Sequence, residues 1–232
     1  MKRNLFCFCL ALVAALFSLL PSTVSASLVD QDLSSDEVDA FLEEMSQVLF
    51  SMKSMQVDFE QERHLAMFLK PLVSKGICFF EDPGRLRWEI FEPYKSLLIF
   101  NGNSVAKYDF SQGEPRRLNL GSEDVIREVL VQIMDWMKGD FRASAEIYDI
   151  RISRNEDYQL RLIPQSRELL ENIKFIELYI DNRTKHITQV LIRETKTDFV
   201  RIEFTNERNN LELDEKLFDL KNPLIWAGME KR

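Results

Sequence analysis

The sequence predicts an α+β domain: about eleven strands in an antiparallel meander, joined by two main helices. Three observations carry that prediction. Apolar and polar residues alternate with a period of two through most of the chain. Gly, Pro, Asn and Asp clusters separate those runs, and in two places the apolar period lengthens to three or four residues. No low-complexity linker, charge block or internal repeat divides the 232 residues, so one domain is expected.

The N-terminal segment reads as a leader outside that domain. Lys2 and Arg3 precede an apolar run from Leu5 to Leu20, and Pro21 and the small-residue sequence Val24-Ser25-Ala26 follow. This is the layout of a secretory signal peptide at 1–26, cut after Ala26. Its apolar run, about 16 residues, falls short of the roughly 20 that span a bilayer. Cys7 and Cys9 lie inside that run, too early for lipoprotein-type cleavage. An uncleaved anchor is the alternative. The expectation is an exported, soluble, monomeric protein whose domain covers 27–232.

The first helix starts at Ser34, which has capping-box spacing to Glu37. Val38, Phe41, Leu42, Met45, Val48, Leu49 and Met52 then recur at helical steps. From Val57 the period is two. Strands are expected near 57–62, 72–80, 84–91, 95–100, 104–109 and 115–120, parted by Asp82-Pro83-Gly84, Glu92-Pro93, Asn101-Gly102 and Gly113-Glu114-Pro115. Asn-Gly is a strong hairpin signal. The second helix spans about 122–138: an acidic start at Ser122-Glu123-Asp124, a broad stripe of Val125, Ile126, Val129, Leu130, Ile133, Met134, Trp136 and Met137, then Gly139. Strands resume near 143–153, 157–163, 173–181, 186–194 and 198–206. The tail from 211, with Phe218 and Pro223-Leu224, is expected to pack irregularly along an edge. Asn182-Arg183-Thr184 matches a glycosylation sequon, a triplet too common to carry weight.

Little in the composition supports catalysis. The only histidines are His64 and His186, and no H-E-x-x-H, C-x-x-C, G-x-S-x-G or phosphate loop occurs. Carboxylates are plentiful, and Asp58, Glu60 and Glu62 read as one solvated strand face. No enzyme, metal or cofactor is expected. Cleavage of the leader leaves Cys78 as the one cysteine, a small buried hydrophobe rather than a nucleophile. It also removes Lys2 and Arg3, taking the formal charge from −8 to −10. That balance argues against nucleic acid and against adhesion to anionic lipid.

What the residues do show is apolar surface in excess. Leu86, Trp88 and Ile90 share one strand face, and Arg85, Arg87 and Glu89 the other. A long sheet with one greasy face can close on a filled core or curl around a guest, and the pattern leaves both open. The methionines of the helices (Met45, Met52, Met134, Met137) suit a surface that repacks around variable guests.

The run from Lys75 through Gly76-Ile77-Cys78-Phe79-Phe80 to Pro83, Leu86 and Trp88 resembles the periplasmic outer-membrane lipoprotein carrier family, LolA. Pro93, the apolar Leu97-Leu98-Ile99, the Asn101-Gly102 turn and Tyr108-Asp109 continue the likeness, as do Phe59-x-Gln61 upstream and Phe218 with Pro223 downstream. The resemblance implies an incomplete antiparallel β-barrel with a helical lid over an apolar cavity. It implies an acylated lipoprotein as cargo, an inner-membrane ABC transporter that loads it and an outer-membrane receptor lipoprotein that accepts it, all in the periplasm. Another acylated lipid or a glycolipid is the alternative cargo, carried or sensed. On this reading Phe59, Phe80, Leu86, Trp88, Ile90 and Leu98 form the cavity wall, and Val129, Ile133 and Met137 belong to the lid. Strand parity leaves open which wall residues face inward. One departure stands out. The family places a lid-fastening arginine before the proline, where this chain has Asp82, an acceptor that cannot make the same donor contacts. Arg85 and Arg87 are the candidate replacements, and the absence of any latch is the other option.

Overall fold

A computed structural model describes residues 31–102, 104–120 and 123–223. The expected leader at 1–26, Ser122 and Leu224 lie outside the described residues. Among the described residues twelve strands form a single sheet: β1 (Gln31–Asp32), β2 (Ser54–His64), β3 (Leu72–Glu81), β4 (Arg85–Glu92), β5 (Ser96–Asn101), β6 (Ser104–Asp109), β7 (Arg116–Arg117), β8 (Tyr148–Arg154), β9 (Tyr158–Pro164), β10 (Phe175–Ile180), β11 (Ile187–Arg193) and β12 (Phe199–Asn209). The order across the sheet is β1-β8-β9-β10-β11-β12-β2-β3-β4-β5-β6-β7, and every neighbouring pair is antiparallel. The edge strands β1 and β7 do not pair with each other, so the barrel is incomplete. Each edge strand is two residues long, which leaves little ladder for a foreign strand to extend. The sequence pattern anticipates β2 to β12. It misses β1, where two residues are too few to show a period.

Helix α1 (Ser35–Leu49) begins as expected: Glu37 Oε2 accepts from the Ser34 backbone N–H at 2.8 Å. Its apolar stripe buries Phe41, Met45 and Leu49 in the inner core cluster, and Glu44 pairs with Lys185, just before β11, at 3.2 Å. Phe41 packs on Tyr158 with ring centroids 4.1 Å apart. Helix α2 (Glu123–Met137) packs against β6. Gly139 ends it with φ +71°, and a Cβ there would come within 2.9 Å of the Met45 carbonyl carbon. Glycine therefore allows both the left-handed turn and the close approach of the two helices. A one-turn helix, α3 (Arg167–Leu170), joins β9 to β10. Among the described residues no helix is long and apolar enough to cross a membrane.

The sheet buries both faces along β3, β5 and β6. Cys78, Phe80, Phe100 and Val105 turn inward, toward the helices. Ile77, Phe79, Leu97, Ile99, Ala106 and Tyr108 turn outward into a second cluster, closed by Leu217 and Phe218 of a 3-10 turn at Glu215–Phe218. The tail thus lies over the outer face of the sheet, a correction to the expected edge packing. Arg87 Nη1 donates to the Leu217 carbonyl (2.8 Å), Asn101 Nδ2 to that of Phe218 (3.1 Å) and the Tyr108 hydroxyl to that of Leu220 (2.6 Å). Cys78 is fully buried, and burial pushes its thiol pKa up, which makes it inert at neutral pH.

Candidate functional site

Between α2 and the inner face of the sheet lies a cavity of about 150 Å³. Strand β4 supplies much of one wall. Alternation sends Leu86, Trp88 and Ile90 inward, and the register sets Trp88 between Cys78 of β3 and Leu98 of β5. Trp88 is held by its neighbours rather than by a polar contact. Phe59 stacks on it at 4.0 Å and 30°, and Phe204 meets it edge-on at 6.4 Å. Gly76 makes the stack possible, because a Cβ at that position would lie 2.2 Å from Phe59 Cζ. The α2 side of the cavity consists of Leu130, Ile133, Trp136 and Met137. Trp136 also ties α2 to the short 3-10 turn at Ser144–Glu146 and to β8: its indole N–H donates to Ser144 Oγ at 2.7 Å, and Tyr148 packs against its ring edge-on.

Of the wall and lid residues expected from sequence, Leu86, Trp88, Ile90, Leu98, Ile133 and Met137 border this space. Phe59, Phe80 and Val129 are buried without bordering it. Sequence reading missed the opposite wall, made by Ile187 and Val190 of β11 and Ile202 and Phe204 of β12. It also missed the polar lining. Gln61 and Lys107 are nearly fully buried on inward positions, Ser96 lies beside them, and His186 Nδ1 meets Glu207 Oε1 at 2.5 Å. The inward parity of Phe59 and Gln61 carries the signal for Gln61. The β11 and β12 residues are separated from the motif by too much chain to be paired with it by eye. Among the described residues no cluster of His, Cys, Asp and Glu is arranged to hold a metal ion.

A family model described as outer membrane lipoprotein carrier protein LolA matches residues 51–221, a stretch that holds the wall strands and α2. The chain belongs to the LolA family. An outer-membrane lipoprotein carrier protein of Methylococcus capsulatus is 24% identical over 184 residues, covering 78% of this chain and 82% of the relative. One from Coxiella burnetii is 24% identical over 179 residues, covering 77% and 81%. Among solved structures, a LolA superfamily protein from Nitrosomonas europaea aligns with a TM-score of 0.39 at 15% identity, covering 78% of this chain and 96% of that one. The family is one of carrier proteins.

The lid fastening differs from what the LolA resemblance led us to expect. Arg85 and Arg87 are not its latch. Both alternate with Leu86 and Trp88, so both point away from α2. Arg85 pairs with Glu81 at 3.1 Å and lies over the Phe218 ring, while Arg87 pairs with Glu89 at 2.5 Å beneath the tail. Asp82 itself makes the contact: its Oδ1 accepts from Lys138 Nζ at 2.8 Å, immediately after the last turn of α2. Lys53 Nζ lies 3.9 Å from the other oxygen. The cation directly follows the lid helix and the anion lies in the β3–β4 turn.

Proposed function

We propose that this protein carries acylated lipoproteins across the periplasm, receiving them from an inner-membrane ABC transporter and passing them to an outer-membrane receptor lipoprotein. The observation that carries the reading is the apolar cavity under a helical lid, in a chain of the LolA family. The protein binds and releases without turning over a substrate, and it reaches the periplasm through the leader at 1–26. Trp88, Leu86, Ile90 and Leu98 take up acyl chains against Ile133 and Met137. Burying an acyl chain is worth about 0.8 kcal/mol per methylene, or roughly 8 kcal/mol for ten. A cavity of about 150 Å³ holds a guest about the size of benzene, so a fatty-acyl chain requires α2 to lift. The contacts α2 gives up on lifting oppose binding, which keeps the cargo releasable.

Lys107 and Gln61 favour a second reading, in which the cargo is another acylated lipid or a glycolipid whose polar group they meet. Native mass spectrometry of the protein from its own periplasm separates the two by the mass of the bound species. The cavity itself is tested with a fluorescent long-chain fatty acid. Trp88→Glu places a carboxylate among apolar side chains and is expected to weaken binding more than about tenfold while the circular dichroism spectrum is kept. A folded Trp88→Glu variant that binds normally would remove Trp88 from the wall.

A further inference from the structure

One polar group of the cavity lining is left unanswered by the protein around it. Gln61 is 4% exposed and borders the cavity, yet among the described residues its side-chain amide makes no hydrogen bond. Its cross-strand neighbours do not supply one. Ile202 of β12 is apolar, and no hydrogen bond joins Gln61 to Ser74, which stands opposite it on β3. The other large polar side chains of the lining are engaged: His186 meets Glu207 at 2.5 Å, and Lys107 takes part in an interaction of its own. The next inward residue of β2, Arg63, is tied to Glu194 at 3.2 Å. Gln61 therefore stands where the apolar wall gives way to paired charge. Met55, at the other end of the wall, lies six residues back along β2, about 20 Å away. The register sets Met55, Phe80 and Leu86 in one row there, and Trp88 borders the space between.

We propose that Gln61 receives the carbonyl of an acyl linkage, ester or amide, and so fixes which way a cargo chain lies in the cavity. Resting on the carrier reading, the assignment holds for either cargo named above, because an acylated lipoprotein and another acylated lipid share that carbonyl. Gln61 Nε2 has two N–H groups to donate, and an acyl carbonyl offers lone pairs, so the two are complementary. A buried amide without a partner is costly to keep, and a ligand that answers it gains a hydrogen bond the empty protein lacks. The carbonyl sits at the root of the acyl chain and enters with it. Once it is held at Gln61, the alkyl part lies past Trp88 toward the apolar side chains of Met55 and Leu86.

Three ligands of matched length are competed against a bound fluorescent fatty acid: methyl palmitate, N-methylpalmitamide and hexadecyl methyl ether, which has no carbonyl. The unaltered protein is expected to bind at least one carbonyl ligand about tenfold more tightly than the ether, and the tighter of the two identifies the linkage. Gln61→Leu is expected to bring all three to the same affinity. Its melting temperature without ligand is expected not to fall, because the amide it removes has no partner in the empty protein. Equal binding of the three ligands by the unaltered protein would overturn the proposal, and so would a carbonyl preference that survives in Gln61→Leu. A clear drop in the melting temperature of Gln61→Leu would overturn it too, by giving the amide a structural role. Failure to bind any of the three would instead remove the carrier reading, and this assignment with it.

Discussion

The C-terminal end of α2 gathers opposing charges around the turn at Gly139. Asp140 is paired with Arg142, whose hydrogen bonds hold its carboxyl below the ordinary aspartate range. Asp135, one turn earlier, has its pKa raised, first by burial and then by the nearby Asp140 charge. The two respond to pH with opposite sign. Asp140 lends stability above the ordinary aspartate pKa and loses it as pH falls through its lowered folded value. Asp135 favours the folded state most below the ordinary value, and that contribution is lost as pH rises through its raised folded value. Asp135→Asn keeps the shape and removes the charge. It is expected to raise the melting temperature near pH 7 and to raise it less as pH falls toward 4, where more of Asp135 is protonated. Equal shifts at both values would mean that the carboxylate charge is not what strains this end of the helix.

At the scale of elements, the lid is held by a contact whose charges are reversed relative to the expected arginine. Asp82 ends the β3 side of a hairpin and Lys138 follows α2, 56 residues apart, so no local pattern joins them. Both side chains are partly exposed, so the pair is worth at most about 1 kcal/mol. Asp82→Lys or Lys138→Asp alone is expected to bring like charges together and to speed release of a bound fatty acid several-fold. The double exchange is expected to restore the slow rate, a coupling that stopped-flow measurement of the four proteins reads directly. Additive effects would show that the two residues do not act as a pair. That Arg85 and Arg87 could not serve was already contained in β4. The alternation that turns Leu86 and Trp88 toward the lid turns both arginines away. Strands β3 and β5 gave no such guide, because Ile77, Cys78, Phe79 and Phe80 are all buried and parity vanishes when both faces are covered. The α2 stripe was legible, and with it Ile133 and Met137. Val129 carries the same stripe but packs without reaching the cavity, a distinction that depends on helix rotation.

At the scale of the molecule, the incomplete barrel has to keep one face soft and the other firm. The inner face meets a cavity and a helix that moves in the proposed function. The outer face is sealed by the tail, whose residues 211–223 show no period and so gave no hint of their place. The seal rests on Arg87 and Glu89, both without solvent exposure, and on the Leu217 carbonyl that Arg87 reaches. Removing one partner of a buried pair is costly, whereas replacing both with apolar groups is often close to neutral. Arg87→Ala is therefore expected to lower unfolding free energy by about 3–5 kcal/mol in a urea titration. Arg87→Met combined with Glu89→Leu is expected to recover most of that loss. Fatty-acid affinity per folded molecule should be unchanged in both, because the pair lies across the sheet from Trp88. A folded Arg87→Ala protein with weakened binding would mean that the tail's grip on the outer face also sets the shape of the cavity wall.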